Sequence, residues 1–298
     1  MRLDENYVCK NYFFWQNIAL FLKQTLKPNF RQRNNRKKSL SKSKRSSEMR
    51  VVFVLFCILI TNFCFCDQQP HKFEGLSEIY NIRNLRVLAK FLPQNPVIIE
   101  AGAYQGRDTL KIAQKFTSGT IYAFEPLQTA FPKLCEAVTQ HENVICLNQA
   151  LDNTSGMKKF YICHGTYGQS PVFEFHSSLL PPTKGMEVHL LGPIEKVSCV
   201  SLSDICEKEK IQRIDLLWLS TEGNEKQILV GARHLLSNIS LVYVRTQLFQ
   251  SRLSMTHFRD LKKFMEKNGF VLLSHFFLPN IHGDAIFIKK DLLNESAL

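Results

Sequence analysis

The chain has 298 residues, 45% of them apolar, which is enough to bury one sizeable core, and its formal net charge is +12. That charge is concentrated: residues 1–50 hold 13 Lys/Arg against 3 Asp/Glu, whereas residues 67–298 hold 25 bases against 23 acids. A nearly neutral globular part excludes a nucleic-acid role that rests on a concentrated basic surface.

The chain begins with an apolar-rich, aromatic stretch over 7–26, and Pro28 closes it. A basic, serine-rich tract follows, with nine Lys/Arg between Arg31 and Arg50 and no core-forming run, a composition that stays unfolded. Residues 51–66 (VVFVLFCILITNFCFC) carry no charge. As a secretory signal, Met49-Arg50 is the short positive end and Cys64-Phe65-Cys66 a small-x-small cleavage site, an arrangement that suits translation from Met49. As a signal anchor, the sixteen residues fall short of the roughly twenty that span a bilayer, and the basic flank stays in the cytoplasm. A buried core helix is the third reading of the segment, and a membrane-anchored scaffold whose basic leader meets anionic lipid is a further reading of the chain's role. The expected division is a leader over 1–48, a signal peptide or anchor over 49–66, a linker with one helix over 67–95, and a globular domain over 96–291 with an insertion at 157–200. The protein is then exported or membrane-associated through 49–66, and cytoplasmic where that segment is not used.

Five of the nine cysteines lie in the globular part: Cys135, Cys146, Cys163, Cys199 and Cys206. Their odd number and the lack of C-x-x-C spacing argue against a disulfide framework and a zinc knot, so no metal is expected. They read as small buried hydrophobes suited to a reducing environment.

Residues 82–91 place apolar side chains at helical spacing until Pro93 and Pro96. The stretch 97–126, VIIEAGAYQGRDTLKIAQKFTSGTIYAFEP, then reads as a buried strand, a glycine turn (Glu100-x-Gly102-x-x-x-Gly106), an amphipathic helix and a second strand ending at Glu125. Glycine lets the backbone take left-handed angles and lets a ligand approach without an intervening Cβ. An acid about twenty residues on, at the tip of the next strand, is placed to hold a ribose. The turn lacks G-x-G-x-x-G, which disfavours a dinucleotide oxidoreductase.

A helix over 128–140 and a strand over 143–148 follow, with Gln149-Ala150-Leu151-Asp152 at the strand tip. Residues 157–200 interrupt the alternation with two strand-like runs around a Gly/Pro-rich loop, an insertion placed to recognise a substrate. Alternation resumes with strands over 214–219, 241–246 and 270–276, and helices over 202–209, 225–236 and 256–268. A last strand over 284–290 is reached without a helix, so it must run antiparallel to its predecessor. Strands alternating with helices imply right-handed β-α-β units. The expected fold is α/β, a Rossmann-like seven-stranded sheet, mostly parallel with the last strand reversed.

Over roughly 97–290 the set IIEAGAYQG, YAFEP, NVICLNQALDN, the SSLL segment, VSLSDI and IDLLWLSTEGNEKQILVGA resembles the FkbM family of class I methyltransferases. The resemblance implies S-adenosylmethionine as cofactor and O-methyl transfer to a small-molecule or sugar-like (glycan) acceptor. It implies that Glu100, Gly102, Ala103, Gly106, Glu125, Ala150 and Asp152 hold the cofactor, Glu125 by its ribose and Ala150 and Asp152 near the adenine. Glu222 and Glu225 would face the acceptor as candidate catalytic bases, with His164, His176 and His189 as outside candidates. The chain departs from the family pattern at Trp218 and Ser220, where a lysine and an aspartate are usual, at Ser203, and at Arg245, near the usual strand-ending acid. The alternative reading is a cofactor-binding protein of this fold that has lost or altered transfer. Acidic residues in the first turn of the 225–236 helix could also serve only its dipole.

Overall fold

Val97, Ile98 and Ile99 open the central strand β1 (Val97–Ala101) of a computed structural model that describes residues 85–164, 171–184, 186, 192–247, 251–277 and 282–293. These residues fall in the unit Ile82–Leu298. The expected leader, the apolar segment over 49–66, most of the linker and His189 lie outside the described residues. Among the described residues, no helix is long and apolar enough to cross a membrane.

After α1 (Leu85–Leu88), the chain runs β1, α2 (Arg107–Lys115), β2 (Thr120–Phe124), α3 (Phe131–Ala137) and β3 (Val144–Leu147). It continues through β4 (Ala150–Asp152), β5 (Gly156–Tyr161), a 3-10 turn (Pro171–His176), β6 (Ile194–Ser201) and α4 (Leu202–Lys208). It closes with β7 (Ile214–Leu219), α5 (Glu225–Gly231), β8 (Ile239–Gln247), α6 (Phe258–Lys267), β9 (Phe270–Phe277) and β10 (His282–Lys289).

Seven strands form one sheet in the order β3-β2-β1-β7-β8-β10-β9, with β10 antiparallel to both β8 and β9. The expected fold is the one observed. Alternation along each strand sends side chains to opposite faces. Ile99, Leu217, Leu219, Val242 and Val244 therefore pack with α4, α5 and α6, while Ile98, Leu216, Trp218, Tyr243 and Ile286 pack beneath α1 and α2. The order reverses at β1, so the carboxyl ends of β1, β2 and β7 open a crevice, the place where open α/β sheets bind ligands.

The insertion has its own architecture. Its two strand-like runs are β5 and β6, and they pair with β4 in a separate three-stranded sheet of order β4-β6-β5. Ala150 to Asp152, expected only as a strand tip, are thus a strand of this second sheet. Leu127 and Ala130 share a cluster with Ala150, Phe160, Ile162, Val197 and Cys199, which joins the small sheet to the loop after β2. Helical elements end earlier than periodicity predicts. The 128–140 helix starts at Phe131, with Pro132 in its first turn, and the 225–236 helix gives way to a 3-10 turn after Gly231.

Candidate active site

The crevice is built by three turns. The first follows β1, where Gly102 (φ +83°) lies so close to the end of β7 that a Cβ on it would sit 2.1 Å from the Ser220 carbonyl oxygen. Only glycine fits, by backbone angle and by space. Ser220 N donates to Ala101 O at 3.0 Å, and Gly102 N and Ala103 N both donate to Phe124 O, so the ends of β1, β2 and β7 are tied together. Tyr104 takes a left-handed φ of 51°. Its amide thereby donates to Glu125 Oε2 at 2.7 Å, while Leu127 N donates to Glu125 Oε1 at 2.8 Å.

Glu125 therefore links the turn after β1 to the loop after β2 while staying 4% exposed. Burial raises its pKa to about 7, against the lowering effect of the two amides. Each oxygen accepts one amide and keeps a further acceptor direction open, so the carboxylate can take a donor pair from a ligand.

The third turn, Ser220 to Glu225, carries the two predicted catalytic acids. Glu225 accepts from Thr221 N at 2.9 Å and Gly223 N at 3.2 Å through one oxygen, so its carboxylate shapes the turn, and burial raises its pKa to about 7. Glu222, at φ 53°, points the other way, where Oε2 accepts from Gln247 Nε2 at 2.7 Å and lies 3.3 Å from His176 Nδ1. Ser178 Oγ donates to Glu222 O at 3.1 Å. The buried Arg252 donates to the His176 carbonyl and, at 3.3 Å, to Leu180 O. The insertion and the β8–α6 connection thus clamp Glu222.

A cleft of about 510 Å³, partly open to solvent, lies between these turns and the small sheet, with Gly102, Tyr104, Glu125, Ala150, Ser220 and Thr221 in its walls. Gly102, Glu125 and Ala150 meet there as the sequence implies. The other predicted site residues, Glu222 and Glu225 among them, are not in its walls. Glu100 is 1% exposed on the opposite side of β1, with its Oε2 unpartnered, and burial raises its pKa to about 8. Ala103 packs with Ala123 and Leu134, and Gly106 caps α2, where its Cβ would meet Leu134 at 2.9 Å. Asp152 accepts from Asn224 Nδ2 at 3.1 Å and Lys158 Nζ at 2.5 Å, which ties the small sheet to the third turn behind the cleft.

Two features escaped sequence reasoning. The insertion supplies Phe160, Glu174, Phe175, Ser177 and Leu179 to the cleft wall. The SSLL segment was the available signal, but nothing in the spacing points to Glu174. Trp218 is not near an acceptor site: it is 2% exposed and stacks on Tyr243 at 3.7 Å in the core, because alternation turns it away from the cleft. Of the pattern departures, Ser220 lines the cleft, whereas Arg245 lies on a second recess of about 330 Å³ with Asp284 4.0 Å away.

Comparison with known proteins returns one family model, the methyltransferase FkbM domain, matched by residues 100–272. The 2-O-methyltransferase NoeI of Sinorhizobium fredii is 23% identical over 174 residues, covering 56% of this chain and 71% of that protein. Among solved structures, M. capricolum TrmK in complex with S-adenosyl-homocysteine is similar at TM-score 0.40 and 12% identity, covering 70% of this chain and 67% of that one. The Methanococcus jannaschii fibrillarin pre-rRNA processing protein is similar at TM-score 0.40 and 13% identity, covering 66% of this chain and 67% of that one.

Proposed function

The chain belongs to the FkbM family of methyltransferases, and we propose that it uses S-adenosylmethionine to methylate a hydroxyl of a small-molecule or sugar-like acceptor. The observation that carries this reading is the meeting of bare Gly102, the doubly anchored Glu125 and apolar Ala150 in one cleft. The cleft suits a nucleoside: Glu125 has acceptor directions left for a diol, Pro126, Leu151 and Phe160 offer apolar walls for a base, and Gly102 lets the turn after β1 close against Ser220 in the cleft wall. When bound, the cofactor supplies an electrophilic methyl group on a sulfonium. The 2-O-methyl transfer in the name of NoeI supports oxygen as the accepting atom, and the near-neutral domain supports an acceptor other than nucleic acid.

Most of the acceleration then comes from holding an acceptor oxygen in line, and a positioned base removes its proton. Glu222 is the proposed base: it is 5% exposed, follows the cleft-wall residues Ser220 and Thr221, and is held by Gln247 and His176. Glu225 is proposed to act indirectly by fixing the turn that presents Glu222. Calorimetric titration of the full chain with S-adenosylmethionine tests the reading. Micromolar binding that weakens at least tenfold in Glu125→Gln is expected, and no heat with no thermal shift at millimolar cofactor would overturn it.

A second reading, a cofactor-binding protein with altered transfer, is favoured by Ser220, which stands in the cleft wall where the family usually has an acid. Methyl transfer to a component of a cell extract, lost in Glu222→Gln, would reject it.

A further inference from the structure

The insertion brings a second carboxylate to the cleft. Glu174, on the Pro171–His176 turn, is 9% exposed and lies in the same wall as Glu125 and Tyr104. Its orientation is set from outside: Thr129 Oγ1 donates to Oε2 at 2.8 Å, and His164 Nε2 lies 3.5 Å from Oε1. The turn is pinned in place by the reciprocal backbone bonds of Tyr161 and Ser178 and by Phe175, whose ring meets Tyr104 edge-on at 6.2 Å. Glu174 is close enough to raise the pKa of both Glu125 and Tyr104.

The cleft walls hold these two carboxylates and, among the described residues, neither lysine nor arginine. A partly buried pair of acids, with no lysine or arginine in the cleft walls and the His164 imidazole at one oxygen of Glu174, is stabilised further by a cation and gains nothing of that kind from a neutral occupant. Resting on the cofactor reading above, we propose that Glu174 is a specificity-determining residue that, with Glu125, makes the cleft favour the sulfonium form of the cofactor over the neutral thioether left after transfer. The methyl group leaves with the positive charge, so the attraction ends when the reaction does, and product release is favoured. An opposite unit charge in such a site would be worth roughly tenfold or more in affinity.

Calorimetry on the full chain at pH 8, above the value of about 7 to which burial raises Glu125, separates the possibilities. Wild type should bind S-adenosylmethionine several-fold more tightly than S-adenosylhomocysteine. Glu174→Gln should cut that ratio by roughly fivefold or more, with homocysteine-form affinity within about twofold of wild type. Thr129→Val removes the hydrogen bond but keeps the charge, so it should preserve most of the ratio. Equal wild-type affinities, an unchanged ratio in Glu174→Gln, or an equal loss for both ligands would overturn the proposal and leave the cofactor reading standing. Binding of neither ligand to wild type would overturn both.

Discussion

At the scale of single residues, Gly102 and Glu100 sit two positions apart and are constrained in opposite ways. Gly102 is fixed by geometry, since a methyl group there meets the Ser220 carbonyl at 2.1 Å while the backbone is at φ +83°. Gly102→Ala should cost at least ~2 kcal/mol from overpacking and left-handed strain together, read as a lowered midpoint in urea at unchanged slope. Glu100 is constrained by electrostatics. Burial raises its pKa from 4.5 to about 8, so between those values the folded chain holds a proton that the unfolded chain has lost. The stability contribution therefore falls as pH rises through that window and levels off above it. Glu100→Gln keeps the shape without the charge, and should become more stable than wild type by about 1–3 kcal/mol at pH 8 but not at pH 5. Urea melts of both proteins at the two pH values check this, and a pH-independent difference would show that the carboxyl does not titrate between the two states.

At the scale of elements, most of what was legible came from periodicity, and most of what was not came from packing. The β-branched run of β1, the glycine turn and the acid ending β2 follow local rules, and so does the antiparallel pairing of β9 and β10, whose connection is too short for a crossover helix. The resemblance marks Trp218 as a departure, because the family usually has a lysine at that place in the motif. Period-two alternation in β7 puts it on Tyr243, and only the strand register fixes which face is which. Nor can spacing show that Ala150 to Asp152 pair with β6, because that ladder joins residues about fifty positions apart. The clamp around Glu222 is equally non-local, for Arg252 reaches carbonyls 76 and 72 positions away. Arg252 is 1% exposed, and burial lowers its pKa. Arg252→Met fills much of the same space but leaves the His176 and Leu180 carbonyls short of a donor. It should destabilise by about 2–4 kcal/mol, with faster amide exchange at Ser177 and Ser178 than in β1, whose exchange should track global unfolding. Uniform acceleration across both elements would mean that the clamp is not a local device.

At the scale of the molecule, the cleft is the seam between two sheets of different construction. Its floor comes from the ends of β1, β2 and β7, held by backbone bonds among Ala101, Gly102, Phe124 and Ser220. Its roof is Phe160 of the small sheet with Glu174, Phe175, Ser177 and Leu179 of the connection between β5 and β6, and the small sheet is joined through the Leu127–Phe160 cluster and the Asn224–Asp152–Lys158 chain. Elements joined by few contacts open locally at lower free energy than the sheet interior. A ligand that touches floor and roof is therefore an additional connection between them, and its binding free energy is added to the closed state. At a free concentration of about 100 times Kd, the cofactor should stabilise the fold by roughly 2.7 kcal/mol. The gain should be uneven: amide exchange at Gly102 to Tyr104, Leu127 and Ser177 to Leu180 should slow together, whereas exchange in β9 and β10, at the far edge of the large sheet, should change less. Glu125→Gln should remove protection from floor and roof alike. Protection confined to the floor would instead assign the small sheet to the acceptor alone, and detach Glu174 from the cofactor.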